Sequence, residues 1–463
     1  MKIKIICPRW PEGSLWRHFI FRFPYLSLTT LAALTPGEIE VTIEDENVQE
    51  VNFDDPPDLV AISIMTPLAK RGYAIADRFR EKSVPVVMGG FHATWMPDEA
   101  GQHADSVVLG EAEQSWARLL EDFKAGGLQK IYRADGKADL KGLPIPRRDL
   151  LKKRGYFFTN TMQVSRGCPF QCSFCSVTAF FGHTCRFRPL DEVRKEAELL
   201  RRQNDFIFFV DDNIIGNPAY ALDLFSFLKG LKVKWVSHAS INIAENEDLL
   251  KRAGESGCHG LFIGFESLSQ ETLKSHHKTS NQVERYKEQI QKIHDRGIGI
   301  EGSFIFGSDE EDSSVFDRVV DFCEETKIDA AVFAILTPYP GTRIYEQFLK
   351  EDRILSRDWD LYDMDHVVFR PRNMTVEQLQ EGHDRANRRF YSYPSMLKRF
   401  WPLRRSHQVF LPSNWGMRRA WRHLLECGDV STLSVGATRR AGQSADQAAG
   451  PEKAPSCRRT PKN

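Results

Sequence analysis

The sequence predicts an α/β protein of two parallel-strand units in tandem. The first is a doubly wound sheet over residues 1–145 and the second an open, partial (β/α)6 barrel over 161–345, followed by a helical C-terminal extension. Three observations predict this. Strand-like and helix-like patterns alternate through both regions, which requires crossover connections and hence parallel strands. Several strand runs, "DLVAISIMTP" among them, are apolar on both faces, as strands covered by helices on either side are. Between the regions, "KGLPIPRRDLL" carries Pro144 and Pro146, which break regular structure and mark the join, with a linker at 146–160.

In the first unit "KIKIICP" reads as a strand, "SLTTLAALT" as a helix stopping near Pro36-Gly37, and "VTIED" as the second strand. "DLVAISIMTP" is the third strand. "KRGYAIADRFR" has apolar residues at helical spacing, and "VPVVMGGFH" and "DSVVLGEAE" are strands again. In such sheets ligands sit at the carboxyl ends of the strands. "SIMTP" (63–67), "GGFHAT" (89–94) and "GEAE" (110–113) fall there, making Ser63, Thr66, Gly89, Gly90, His92, Gly110 and Glu111 candidate ligand contacts.

The second unit offers six strand-like runs: "FTNTMQVSRG", "DFIFFVDDN", "VKWVSHAS", "HGLFIGFES", "GIEGSFIFG" and "AAVFAILTPYPG". Helical stretches such as "LDEVRKEAELLRRQ" follow the first five. Six units are too few to close an eightfold barrel, so an open one is expected, with its site at the carboxyl ends. Residues 346–431 turn helical and rich in aromatics and arginine, and 432–463 are small and polar, which predicts disorder.

Bulk properties narrow the function. The 463 residues balance 63 Lys+Arg against 63 Asp+Glu, which argues against a partner chosen by bulk charge such as duplex nucleic acid. Nine cysteines, an odd count with no repeating framework, fit a reducing cytoplasm, where the protein is expected. "MKIKIICPRW" lacks the features of a signal peptide, and no apolar run reaches the ~18–20 residues of a spanning helix.

The stretch "VSRGCPFQCSFCSV" gathers Cys168, Cys172 and Cys175 at C-x3-C-x2-C spacing after the first barrel strand. A cubane iron–sulfur cluster normally takes four thiolates, and this loop supplies three. An unprotected fourth iron is an open coordination site, where chemistry begins. A zinc knot completed by Cys185 or His183 is the alternative, as is Cys185 as a fourth cluster ligand.

"CPFQCSFC" resembles the signature of the radical S-adenosylmethionine superfamily, including the aromatic Phe174 before the last cysteine. The resemblance implies that the three cysteines hold a [4Fe-4S] cluster and that the amino and carboxylate groups of S-adenosylmethionine chelate the fourth iron. One-electron reduction then yields a 5′-deoxyadenosyl radical. It also implies cofactor contacts further along, in order: Asp211, Asp212 and Asn213 of "FFVDDN", Glu266 and Ser267 of "FIGFES", and Gly302 and Gly307 of "GSFIFG". Each has an ordinary reading beside this one, since an Asp-Asn pair caps helices and glycines permit close packing.

The N-terminal unit is similar to the Rossmann-like cobalamin-binding domain of the cobalamin-dependent, methylase-like branch, and the second unit to that branch's TIM-like barrel. The resemblance implies cobalamin as a third cofactor and methyl transfer to an unactivated carbon of an apolar small molecule, a tetrapyrrole or polycyclic lipid. The alternative is radical oxidative cyclisation, and a non-enzymatic carrier is the reading from another class. A histidine lower ligand is missing after the second strand, where "EDENVQE" stands, so cobalamin is expected base-off, with His92 near the corrin or simply packed. The reaction further implies an external one-electron reductant, flavodoxin- or ferredoxin-like. The aromatic, basic stretch 390–425 reads as a helical cap or as a peripheral membrane contact.

Overall fold

A computed structural model describes residues 1–402 and 406–427, so the expected disorder at 432–463 falls outside the described residues. The first sheet holds β1 (Lys2–Cys7), β2 (Glu40–Asp45), β3 (Leu59–Ser63), β4 (Val86–Gly89), β5 (Ser106–Leu109) and β6 (Ile131–Arg133). All pair in parallel in the order β2-β1-β3-β4-β5-β6. The order reverses between β1 and β3, which opens a crevice at the carboxyl ends of those strands. Ile3 and Ile5 face one packed layer while Ile6, Val60 and Ile62 face another, which is why these strands read as apolar throughout.

The second sheet holds β7 (Thr161–Met162), β10 (Phe206–Phe209), β11 (Lys234–His238), β12 (Cys258–Glu266), β13 (Gly299–Phe306) and β14 (Ala330–Ile335). These also pair in parallel, in consecutive order from β7 to β14, an open barrel. The expected first strand is shorter than its run. The chain leaves the sheet after Met162, and β8 (Ser165–Arg166) pairs antiparallel with β9 (Arg186–Phe187) instead. Where it departs, buried Asp211 takes up its backbone, accepting from Ser165 N and Oγ at 2.5 and 2.6 Å and from Val164 N at 3.1 Å.

Helices cover the outer face, and the C-terminal helices Val376–Phe390, Tyr393–Arg399 and His407–Cys427 close over β14 and its neighbours. The first begins at a capping box formed by Thr375 and Gln378, as its sequence dictates. Trp359, Tyr362 and Val368 pack into the core of the N-terminal unit, so the chain after β14 ties the two sheets together.

Candidate functional site

The three cysteines lie half-buried on the loop that leaves β8. Local chemistry fixes the loop at both ends. Gly167 sits at φ +89, where a Cβ would approach the Thr184 carbonyl oxygen to 2.4 Å, so only glycine fits. Its N–H donates to Asp212 at 2.9 Å. Past Cys172, Ser173 N donates to the His276 carbonyl at 3.0 Å, and the Ser173 hydroxyl lies 3.1 Å from His276 Nδ1. Phe174 meets His276 edge-on at 5.5 Å, so the aromatic before the last cysteine packs the loop down.

Burial pushes the Cys172 thiol up to about 12, and Cys168 upward as well. Lys278 opposes this. Its Nζ pairs with Glu266 Oε1 at 3.1 Å, and although burial works against its charge, the charges of Glu266 and Cys172 hold the ammonium above its ordinary range. A cation thus stands beside the cysteine loop, favouring the thiolate forms that metals require. Cys185 donates its S–H to the Gly167 carbonyl at 3.4 Å, bracing the loop from outside. Among the described residues no three His, Cys, Asp or Glu side chains converge as ligands of one ion would.

The other expected barrel contacts divide. Asp211 is fully buried and tied to Val164 and Ser165, and Asp212 is tied to Gly167. Both therefore hold the loop through its backbone. Asn213 bonds Ser240 across the strand ends at 3.2 Å. Ser267 is buried and donates to Glu311 at 3.0 Å, and Gly307 N donates to the same carboxylate at 3.1 Å. Gly307 abuts Leu379 and Phe369, and Gly302 abuts Phe265 and Phe304, so both glycines answer to packing. Glu266, at φ +65, stays half-buried at the carboxyl end of β12.

A cavity of about 340 Å³ lies at the crevice of the first sheet. Ser63, Gly89, Gly90, Gly110 and Glu111 line it, together with Leu26, Leu31 and Leu34 from one side and Gln163, Arg166, Phe180, Phe181 and Val210 from the barrel unit. Thr66 and His92 do not. The helix starting after Gly90 turns His92 into the core, 3.4 Å from Thr66 Oγ1, 3.6 Å from Glu99 and against Trp359. Both residues are buried away from the lining, and His92 is packed, one of the two places expected for it.

Arg166, next to the cysteine loop, reaches Glu111 at 2.8 Å and Glu113 at 2.6 Å, and Arg186 reaches Glu111 at 3.0 Å. Burial would raise the Glu111 carboxyl, but the two guanidinium groups outweigh it and hold it below its ordinary range. This buried clamp locks the cysteine hairpin to the carboxyl edge of the first sheet. Arg166, Arg186, Lys278 and His276 were absent from the sequence-derived set. No local motif marks them, and their partners lie far off in the chain.

These features define a class: a two-unit α/β enzyme in which a three-cysteine loop on an open barrel meets a cavity at the switch point of a parallel sheet. The profile of the Radical SAM superfamily matches residues 162–323. The chain is 33% identical to the Bacteriochlorophyllide d C-12(1)-methyltransferase of Chlorobaculum tepidum over 81% of this chain and 84% of that protein. It is 30% identical to the Bacteriochlorophyllide d C-8(2)-methyltransferase of the same organism over 75% and 80%. Its fold matches the solved structure of the cobalamin-dependent S-adenosylmethionine radical enzyme OxsB with aqua-cobalamin and S-adenosylmethionine bound. That match has a TM-score of 0.64 at 15% identity, covering 95% of this chain and 83% of that one. The chain belongs to the radical SAM superfamily, in its cobalamin-binding, methylase-like branch.

Proposed function

We propose that this chain is a cytoplasmic, cobalamin-dependent radical S-adenosylmethionine C-methyltransferase acting on an apolar small molecule, a tetrapyrrole before all. One observation carries the proposal: the hairpin that launches the cysteine loop is clamped, through Arg166, to the rim of the cavity on the first sheet. The relatives' names supply the substrate class.

The donor set fits. Cys168, Cys172 and Cys175 offer three thiols beside a cation, as a [4Fe-4S] cluster with one open iron needs. The apolar cavity lined by Leu26, Leu31 and Leu34 suits a flat aromatic group, and Gly110 on its lining leaves open space beside its backbone. In "EDENVQE", Asp45 and Asn47 bond each other and Glu46 pairs with Arg71, and the segment offers no histidine as a lower ligand. When bound, cluster, S-adenosylmethionine and cobalamin would together supply one-electron sulfonium cleavage and a methyl group for carbon.

The chain's own residues position and exclude. Asp212 and Gly167 set the exit of the cysteine loop, and the Lys278–Glu266 pair stands between it and the barrel. The Arg166–Glu111 clamp holds the two cofactor platforms at one distance, and such positioning accounts for much of a rate enhancement. A flavodoxin- or ferredoxin-like reductant would supply the electron.

The test is anaerobic reconstitution with hydroxocobalamin, S-adenosylmethionine and a low-potential reductant, with chlorophyllide-type substrates analysed by mass. A gain of one methyl, with deoxyadenosine and S-adenosylhomocysteine formed, supports the proposal. Loss of hydrogens without methyl gain would assign oxidative cyclisation instead.

A further inference from the structure

One face of the molecule lies outside everything the proposed chemistry uses. Where the N-terminal segment around Arg17–Arg22 crosses the helix His407–Cys427, a cavity of about 530 Å³ opens. Arg17, Arg22, Arg418, Arg419 and Arg422 line it, and among the described residues no carboxylate does. Glu12 pairs with Arg17 at 3.3 Å outside that lining. Like charges gathered this closely repel one another and call for an anion.

The same face is apolar and aromatic. Ile20, Tyr393 and Trp415 line the cavity while standing 41%, 57% and 51% exposed. Leu411, Trp415 and Arg419 recur one turn apart on the side of the helix opposite buried Phe410, Asn414 and Trp421. Tyr393 and Leu397 repeat that spacing on the helix Tyr393–Arg399, with Leu397 74% exposed. The Arg418 guanidinium lies 4.1 Å over the Tyr393 ring and that of Arg419 lies 5.9 Å from the Trp415 ring, so cation and ring are presented together.

We propose that this face docks on an anionic lipid surface, with Trp415, Tyr393 and Leu397 in the headgroup region and the arginines on lipid phosphates. Aromatic side chains projecting more than half-exposed beside guanidinium groups match the polar–apolar gradient of a bilayer interface. No helix among the described residues is long and apolar enough to cross a membrane, so the contact is peripheral. The inference stands apart from the proposed reaction, because binding is read without turnover.

The test uses the full chain in flotation with phosphatidylcholine vesicles and with vesicles containing phosphatidylglycerol. The expected result is binding to the acidic vesicles alone, released by salt. Arg419→Glu with Arg422→Glu should lower partitioning at least about 30-fold, because each basic residue near an acidic surface contributes about fivefold. Trp415→Ser should lower it separately, with circular dichroism unchanged in both variants. Failure to bind acidic vesicles, or equal binding by the charge-reversed variant, would overturn the proposal. So would capture of an acidic flavodoxin, or binding of inorganic phosphate, through these arginines with no vesicle binding.

Discussion

Gly167 and Arg166 stand next to each other and do opposite work. Gly167 is there for what it lacks: with φ at +89 and a carbonyl oxygen 2.4 Å from any added Cβ, alanine must push the cysteine loop away. Gly167→Ala should cost at least about 2 kcal/mol of stability in denaturant titration and abolish the absorbance of the reconstituted cluster. Arg166 is there for its charge. Arg166→Ala leaves Glu113 without that partner and Glu111 with Arg186 alone, and should cost about 3 kcal/mol, with Arg166→Lys recovering part of it. Both stand just before the motif "CPFQCSFC", and neither was singled out in the sequence. Arg166 is an ordinary arginine until the fold brings it to a glutamate 55 residues away. His92 shows the converse. Its place after a glycine pair left two readings, near a corrin or simply packed, and Gly90 at φ +99 starts a helix that turns the imidazole inward.

Elements were legible where period and composition act locally. The six barrel runs and five strands of the first sheet stood out by pattern, whereas β6 did not, being three residues of which only Tyr132 is buried. The first barrel strand was overread, because beyond Met162 its backbone bonds a buried carboxylate at the end of β10, a partner far off in the chain. Residues 351–375, read as part of the helical extension, run instead as irregular chain with one short turn, Trp359–Leu361, and hold a buried polar cluster. His366 Nδ1 lies 2.9 Å from Asp363, and although burial opposes its charge, the carboxylates of Asp363 and Asp365 raise it from 6.5 to about 9. The folded protein therefore binds this proton more tightly than the unfolded chain. The resulting stabilisation is complete below about 6.5 and disappears as pH rises through about 9. Asp365, pushed up by burial, adds a slope of the same sign. Stability should fall between these pH values, and His366→Gln should flatten the decline in denaturant titrations run across them.

At the scale of the whole molecule, two parallel sheets present their carboxyl ends toward one shared region, joined by the Arg166–Glu111 clamp and by the segment around Trp359. Neither joint is visible in the sequence, whereas the two sheets and the cysteine loop are. The account depends on exactly three thiolates anchoring a cluster on that loop. Iron, sulfide and zinc content, with deoxyadenosine formation, should be measured anaerobically for Cys168→Ala, Cys172→Ala, Cys175→Ala and Cys185→Ala. The account predicts that each of the first three loses the cluster and deoxyadenosine, while Cys185→Ala keeps both. Loss of the cluster in Cys185→Ala as well, or zinc in place of iron and sulfide in the unaltered protein, would contradict it.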